Sequence, residues 1–316
     1  MSEDQKVQKI SILGLDNAGK SSIALYLDRK FNLIRQTRPT KSAEIHTKFV
    51  NILGLKLSIW DLGGQTKYRQ EYLEHKDLYF SRMTGFFYVI DIRDEKRHDV
   101  SITYLANLSK FVREYNPELK NLIVFLHKYD PDIQGTEEYL NRIETIKEKI
   151  NALSLDFDIS YYPTSIYDGS NILEAFHFAV IRKTGKGMLL ENVLKDYTKK
   201  TFSSAALLLS ENYLFLASRV TKRQYLRFCT DIVPDLSKVM DRLNRWDITT
   251  DDCVITILIN DEEAEERKKG IIFMKRIEIE SYGSVFLMTL CLNEKIRQRA
   301  YEFIPNLAEN IKNIIE

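Results

Sequence analysis

Residues 14–21 read Gly14-Leu15-Asp16-Asn17-Ala18-Gly19-Lys20-Ser21, the spacing GxxxxGK[ST]. An apolar, strand-like run over 7–13 precedes it, and a helix-like stretch over 21–30 follows. A glycine-bent loop between strand and helix turns backbone N–H groups and the positive end of a helix toward an anion, which makes a phosphate cradle. Asp16, Asn17, Ala18, Gly19 and Ser22 line that cradle. Lys20 is placed to reach β- and γ-phosphates, and the Ser21 hydroxyl to hold Mg²⁺. The spacing specifies a nucleoside triphosphate without saying which one.

Residues 55–65 narrow the reading. An alternating strand runs into Asp61, followed by Gly63, Gly64 and Gln65. An Asp at such a strand end bonds a water on Mg²⁺, and a Gln just beyond it orients the attacking water. Gly64 lets its backbone N–H approach a γ-phosphate closely. The base is addressed further on. A short apolar run over 121–126 ends in His127-Lys128-Tyr129-Asp130. In the pattern Asn/Thr-Lys-x-Asp the carboxylate accepts two N–H bonds that guanine offers and adenine lacks, while the Lys stem lies along the base. His127 stands where the pattern has an amide, and we read it as structural. The next strand end, Tyr161-Tyr162-Pro163, leads into Thr164, Ser165 and Ile166, where a backbone N–H faces the base oxygen.

The strand-like runs fall at 7–13, 44–53, 55–61, 84–90, 121–126 and 156–163, with a hairpin at Leu53-Gly54 and helices at 19–30, 97–115, 136–152 and 170–183. Alternating strand and helix implies an α/β domain with a mostly parallel six-stranded sheet covered on both faces. Residues 31–43, with few apolar positions, read as a moving loop. The turn-rich Thr184-Gly185-Lys186-Gly187 marks the boundary between a domain at 1–184 and another at 185–316. Beyond it come a helix (188–202), strands (205–209 and 213–220), a helix (222–245), strands (253–259, 270–279 and 285–292) and a last helix. That order implies an α+β domain with a five-stranded antiparallel sheet. Leu226, Cys229, Val233, Leu236, Met240 and Leu243 share one face of the long helix. Ile296, Ala300, Phe303, Leu307, Ile311 and Ile314 share one face of the last, and Pro305 within it predicts a kink. A charged stretch over 262–269 reads as a solvated loop.

A net charge of +1 excludes a strong field for nucleic acid or an anionic membrane. Cys229, Cys253 and Cys291 lie far apart in apolar runs, as reduced core residues do. The polar first residues, Ser2, and the absence of a long apolar run predict no signal peptide, no myristoyl anchor and no membrane span, hence a cytoplasmic protein.

Residues 1–183 resemble a Ras-superfamily small GTPase of the Arf/Rag type. The stretch from Gly14 to Ser22, the run Trp60-Asp61-Leu62-Gly63-Gly64-Gln65, and Thr37-Arg38-Pro39-Thr40 are similar to Arf proteins. His127-Lys128-Tyr129-Asp130 and Thr164-Ser165-Ile166-Tyr167-Asp168 resemble the Rag GTPases instead, and the C-terminal element order resembles their roadblock (longin-related) module. The resemblance implies bound GTP or GDP with Mg²⁺. Ser21, Thr40 and, through water, Asp61 would hold the metal. Gly64, His127, Lys128, Asp130, Ser165 and Ile166 would join the P-loop around the nucleotide. Gln65 would support hydrolysis that is slow without an activating partner. It also implies a homodimer or heterodimer through the roadblock-like domain, together with an effector, an exchange factor and an activating protein. Membranes would be met only through partners. Two other classes compete: a non-hydrolysing, nucleotide-bound scaffold, and an ATPase or kinase, against which Asp130 argues. Unlike Arf proteins, the chain shows no amphipathic N-terminal helix.

Overall fold

The computed structural model describes residues 8–27, 48–52, 55–61, 72, 74–181, 185–211, 213–260, 267–280 and 282–316. Thr40, Gly64, Gln65 and the loop expected at 31–43 lie outside them. The chain divides into two compact units, Met1–Val180 and Ile181–Glu316.

The first unit follows the βα alternation. Its strands are β1 Gln8–Gly14, β2 Lys48–Ile52, β3 Leu55–Asp61, β4 Met83–Asp91, β5 Asn121–His127 and β6 Asp158–Thr164. The helices are α1 Lys20–Leu27, α2 Lys76–Phe80, α3 His98–Tyr115, α4 Glu137–Ala152 and α5 Ser170–Phe176, the last followed by a π-helical turn, His177–Ile181. The sheet order is β2-β3-β1-β4-β5-β6, parallel throughout except for β2, which pairs antiparallel with β3 as the hairpin at Gly54 requires.

A parallel sheet buried on both faces needs strands apolar at consecutive positions, and β4 shows why Phe86, Phe87, Tyr88, Val89 and Ile90 stand together. Phe86, Tyr88 and Ile90 join Leu122 and Val124 of β5, and Leu105, Leu108, Ile143, Ile146 and Ile150 of α3 and α4, in one core. Phe87 points the other way, where it stacks on Phe125 at 5.6 Å and on Phe176 of α5 at 6.3 Å. Because pairing is parallel, Gly14, Asp61, Asp91, His127 and Thr164 all end strands along the same edge of the sheet.

The second unit runs α6 Gly185–Thr201, β7 Ala205–Ser210, β8 Phe215–Val220, α7 Arg223–Asn244, β9 Asp252–Asn260, β10 Arg267–Ile279, β11 Gly283–Cys291, α8 Ile296–Glu302 and α9 Ile304–Ile315. Its five strands form an antiparallel sheet in the order β8-β7-β11-β10-β9. Three details differ from the sequence reading, and the helix read over 222–245 holds through a proline. Gly185, Lys186 and Gly187 form the first turn of α6 rather than a turn between domains. Pro234 sits inside α7, and the helix continues because burial of Cys229, Val233, Leu236 and Met240 outweighs one lost backbone bond. The last helix breaks at Phe303, ahead of Pro305 at the start of α9. Ala300, Leu307 and Ile311 of the expected face are buried, while Ile304 and Ile315 are buried in place of Phe303 and Ile314. Residues 267–269, expected in a loop, open β10. Cys229 and Cys291 are buried, as a core reading requires, while Cys253 is only half-buried on the edge strand β9.

Candidate nucleotide-binding site

The loop between β1 and α1 has the conformation of a cradle. Gly14 sits at φ 145°, and a Cβ there would lie 2.4 Å from the Val89 carbonyl oxygen, so only glycine lets β1 run this close to β4. Gly19 sits at φ 98°, and a Cβ there would meet the His127 ring at 2.3 Å. The Lys20 ammonium is buried and donates to the Leu15 carbonyl at 2.7 Å, which folds it back into the loop. The first turn of α1 holds no acidic residue, so the positive end of the helix is left for an anion. Asp16 is gripped from outside the loop, where Arg97, just before α3, donates to its Oδ1 at 2.5 Å.

The ends of β4, β5 and β6 form the second half. Register aligns Asp91, His127 and Thr164 across three strands. Lys128 adopts φ 64°, a left-handed conformation that a non-glycine residue rarely takes. Its ammonium is 2.6 Å from Asp91 Oδ2. The Ser165 hydroxyl donates to Asp130 Oδ1 at 2.6 Å, and the Tyr167 N–H donates to the Ser165 Oγ at 3.1 Å. Tyr167 is 73% exposed beside them. Arg93 donates to the Lys128 carbonyl and to Asp130 Oδ2.

His127 joins the two halves. Its ring packs against Gly19, and its Nδ1 lies 3.0 Å from the Thr164 hydroxyl. Burial first, then the Lys128 charge, pushes its pKa down from the ordinary 6.5 to about 4. The ring is therefore neutral at pH 7, as a replacement for an amide needs to be.

The family model of the Gtr1/RagA G protein conserved region matches residues 9–236, running from β1 through the strand ends just described and into α7. The chain belongs to the Gtr1/RagA G-protein family. It is thereby a GTP-binding small GTPase of the Arf/Rag type. Similar proteins include the ADP-ribosylation factor-like protein 3 of three organisms. That of Caenorhabditis elegans is 35% identical over 92 residues, 29% of this chain and 46% of that protein. That of Saccharomyces cerevisiae is 28% identical over 180 residues, 55% of this chain and 84% of that protein. That of Chlamydomonas reinhardtii is 37% identical over 100 residues, 32% of this chain and 52% of that protein. The matched stretch thus spans about half the length of two of these relatives. Among solved structures, the Arl6 (BBS3) small GTPase of Trypanosoma brucei, with a bound GppNp, aligns over 55% of this chain and 95% of its own at 19% identity and a TM-score of 0.41.

In this Gtr1/RagA-family chain, Asp16, Asn17, Ala18, Gly19, Lys20, Ser21 and Ser22 lie on one loop and the first turn of α1. His127 ends β5, and Lys128, Asp130, Ser165 and Ile166 lie beyond the ends of β5 and β6 on the same sheet edge. The backbone of Asp61 ends β3 opposite Ile12 of β1. Sequence reasoning missed Asp91, Arg93 and Arg97, which belong to no motif; their signal is their place directly after an apolar strand, on the edge where the motifs collect.

The neutral His127 has a measurable consequence. In the unfolded chain it gains a proton near pH 6.5, and in the fold only near pH 4. The unfolded state therefore binds more protons between those values, and stability that is complete above pH 6.5 is lost as pH falls toward 4. In urea unfolding of the first unit, the wild type should lose about 2 kcal/mol more than His127→Asn between pH 7 and pH 5. Equal losses would show that the ring is not held neutral.

Proposed function

We propose that this chain is a Mg²⁺-dependent, GTP-hydrolysing molecular switch. A first domain at 1–184 would bind and hydrolyse the nucleotide, and a roadblock-like domain at 185–316 would form a dimerisation platform. The observation that carries the base assignment is the Asp130 carboxylate just past the end of β5, one oxygen held by Ser165, with Lys128 two residues before it. An acceptor-only carboxylate there suits the two N–H donors of guanine and repels N1 of adenine, which is an acceptor. P-loop amides and Lys20 would neutralise the phosphates. Mg²⁺ takes oxygen ligands and keeps several waters. The Ser21 hydroxyl at the head of α1 and Asp61 at the neighbouring strand end fit that chemistry, with Thr40 as the third group. When bound, the ion would offset charge on the phosphate oxygens. Gln65 would orient the water that attacks.

Single-turnover hydrolysis tests this reading. The wild type should turn over slowly, on the order of 10⁻⁴ to 10⁻² s⁻¹, as small GTPases without a supplied arginine do. Gln65→Leu should be at least about tenfold slower. An unchanged rate in the variant would remove Gln65 from the mechanism, and a wild type that holds GTP without cleaving it would favour a scaffold.

Pairing is supported by the second unit. β9 is an edge strand whose side chains Val254 and Leu258 are exposed, and Phe228, Val239, Trp246 and Ile248 on and after α7 are exposed as well. An unpaired apolar edge invites another chain, and a stable interface buries at least about 1,000 Å². Sedimentation of the full-length protein at tens of micromolar should show a species near twice 37.1 kDa, or a complex with a second roadblock-bearing protein. A monomer that captures no such protein would contradict the pairing. Among the described residues no helix is long and apolar enough to cross a membrane. We place the switch in the cytoplasm, met by an effector, an exchange factor and an activating protein, and reaching membranes only through partners.

A further inference from the structure

We propose that Arg93 is a positioning residue for guanine recognition, fixing the Asp130 carboxylate and the Lys128 backbone in the base-reading pose before the base arrives. The inference rests on Asp130 being the guanine reader. Arg93 stands on the turn after β4, two residues beyond Asp91, and its own N–H donates to Asp91 Oδ1 at 2.9 Å. Its guanidinium then reaches across to the loop after β5. Nε donates to the Lys128 carbonyl at 3.1 Å, and Nη2 donates to Asp130 Oδ2 at 3.2 Å and to Asp132 Oδ1 at 2.5 Å. One rigid fork thus holds three acceptors of one loop, which an ammonium on a flexible stem does not do.

Two consequences follow for the reader. Asp130 Oδ1 is tied to Ser165 and Oδ2 to Arg93, so the carboxylate cannot turn about its own bond. Each carboxylate oxygen has two acceptor directions, and each therefore keeps one for a base N–H. Lys128, at φ 64°, holds a backbone conformation that costs free energy, and the Arg93 bond to its carbonyl offsets part of that cost. Asp91 closes the network, since its Oδ2 holds the Lys128 ammonium while its Oδ1 holds Arg93. Bidentate reading of guanine needs both oxygens in fixed directions. A single bond, as to inosine, which keeps the ring N–H but lacks the amino group, tolerates a carboxylate that turns.

The test is calorimetric titration of nucleotide-stripped, full-length protein with GDP, IDP and ADP in Mg²⁺, for the wild type, Arg93→Gln and Asp132→Asn. Asp132→Asn loosens the fork without touching Asp130. The wild type should prefer GDP to IDP, and IDP to ADP. Arg93→Gln should weaken GDP about tenfold and IDP less than about threefold, with the melting temperature little changed. Asp132→Asn should narrow the GDP-to-IDP ratio in the same sense, and it carries the test should Arg93→Gln fail to fold. Equal losses for GDP and IDP would reduce Arg93 to a structural tie. Unchanged affinities, or tighter GDP binding in Arg93→Gln, would overturn the proposal outright. Should the wild type bind ADP as tightly as GDP, the guanine reading beneath it fails, which the variants then cannot rescue.

Discussion

Asp130→Asn should lower GDP affinity by about 10³-fold or more and raise affinity for xanthosine diphosphate by a comparable factor. The asparagine is nearly the same size, and its oxygen still accepts from the Ser165 hydroxyl, which lies 2.6 Å from Oδ1 in the wild type, while its NH₂ loses the bond that Arg93 makes to Oδ2. What changes is hydrogen-bond sense. The side-chain NH₂ faces the guanine amino group donor to donor, and both lose a partner in a partly buried pocket, which costs more than the bond they made. Xanthine has a carbonyl at that position and accepts from the new NH₂. Titration of the variant with GDP, xanthosine diphosphate and ADP checks the exchange. A variant that still prefers GDP would mean that Asp130 does not read the base.

Lys20→Ala should abolish measurable binding of Mg²⁺ with GTP, a loss of at least about 10³-fold, while the unit still folds. The wild-type ammonium is only 5% exposed and already turned into the loop by its 2.7 Å bond to Leu15. Its removal should take away a charge already held inside the loop. The fold should survive because the sheet core is built from apolar side chains of β4, β5, α3 and α4. Ser21→Asn should weaken binding through the metal instead, with a larger effect on GTP in Mg²⁺ than without it. Nucleotide binding followed beside the melting temperature separates these outcomes, and normal binding by either variant would remove that residue from the site.

What could be read from the sequence was what local physics dictates. The Gly14-to-Ser21 spacing forces a strand, a glycine-bent loop and a helix, and the structure repeats them with Gly14 and Gly19 at positive φ. The apolar runs at 84–90 and 121–126 could only be buried strands, and they form the sheet centre. Asp130 and Ser165 were legible as separate strand-end residues, although their 2.6 Å bond depends on the parallel pairing of β5 with β6. Arg93, Arg97 and Asp91 were not legible, because an ion pair between two loops needs a register that no local pattern encodes. The last helix follows its expected face at Ala300, Leu307 and Ile311, but the chain breaks at Phe303, ahead of Pro305, and Ile304 and Ile315 face inward in place of Phe303 and Ile314. Pro234 shows the opposite outcome, a local breaker overruled by the buried face of α7.

Guanine selectivity at the P-loop site is measured most directly by one competition. Nucleotide-stripped, full-length protein is incubated with equal millimolar GTP and ATP in Mg²⁺, desalted, and the retained nucleotide is released and separated by chromatography. Guanine nucleotide should be retained at close to one per chain, in at least about hundredfold excess over adenine nucleotide, with GDP accumulating slowly as the bound GTP is cleaved. Adenine and guanine nucleotides retained in equal amounts would contradict it.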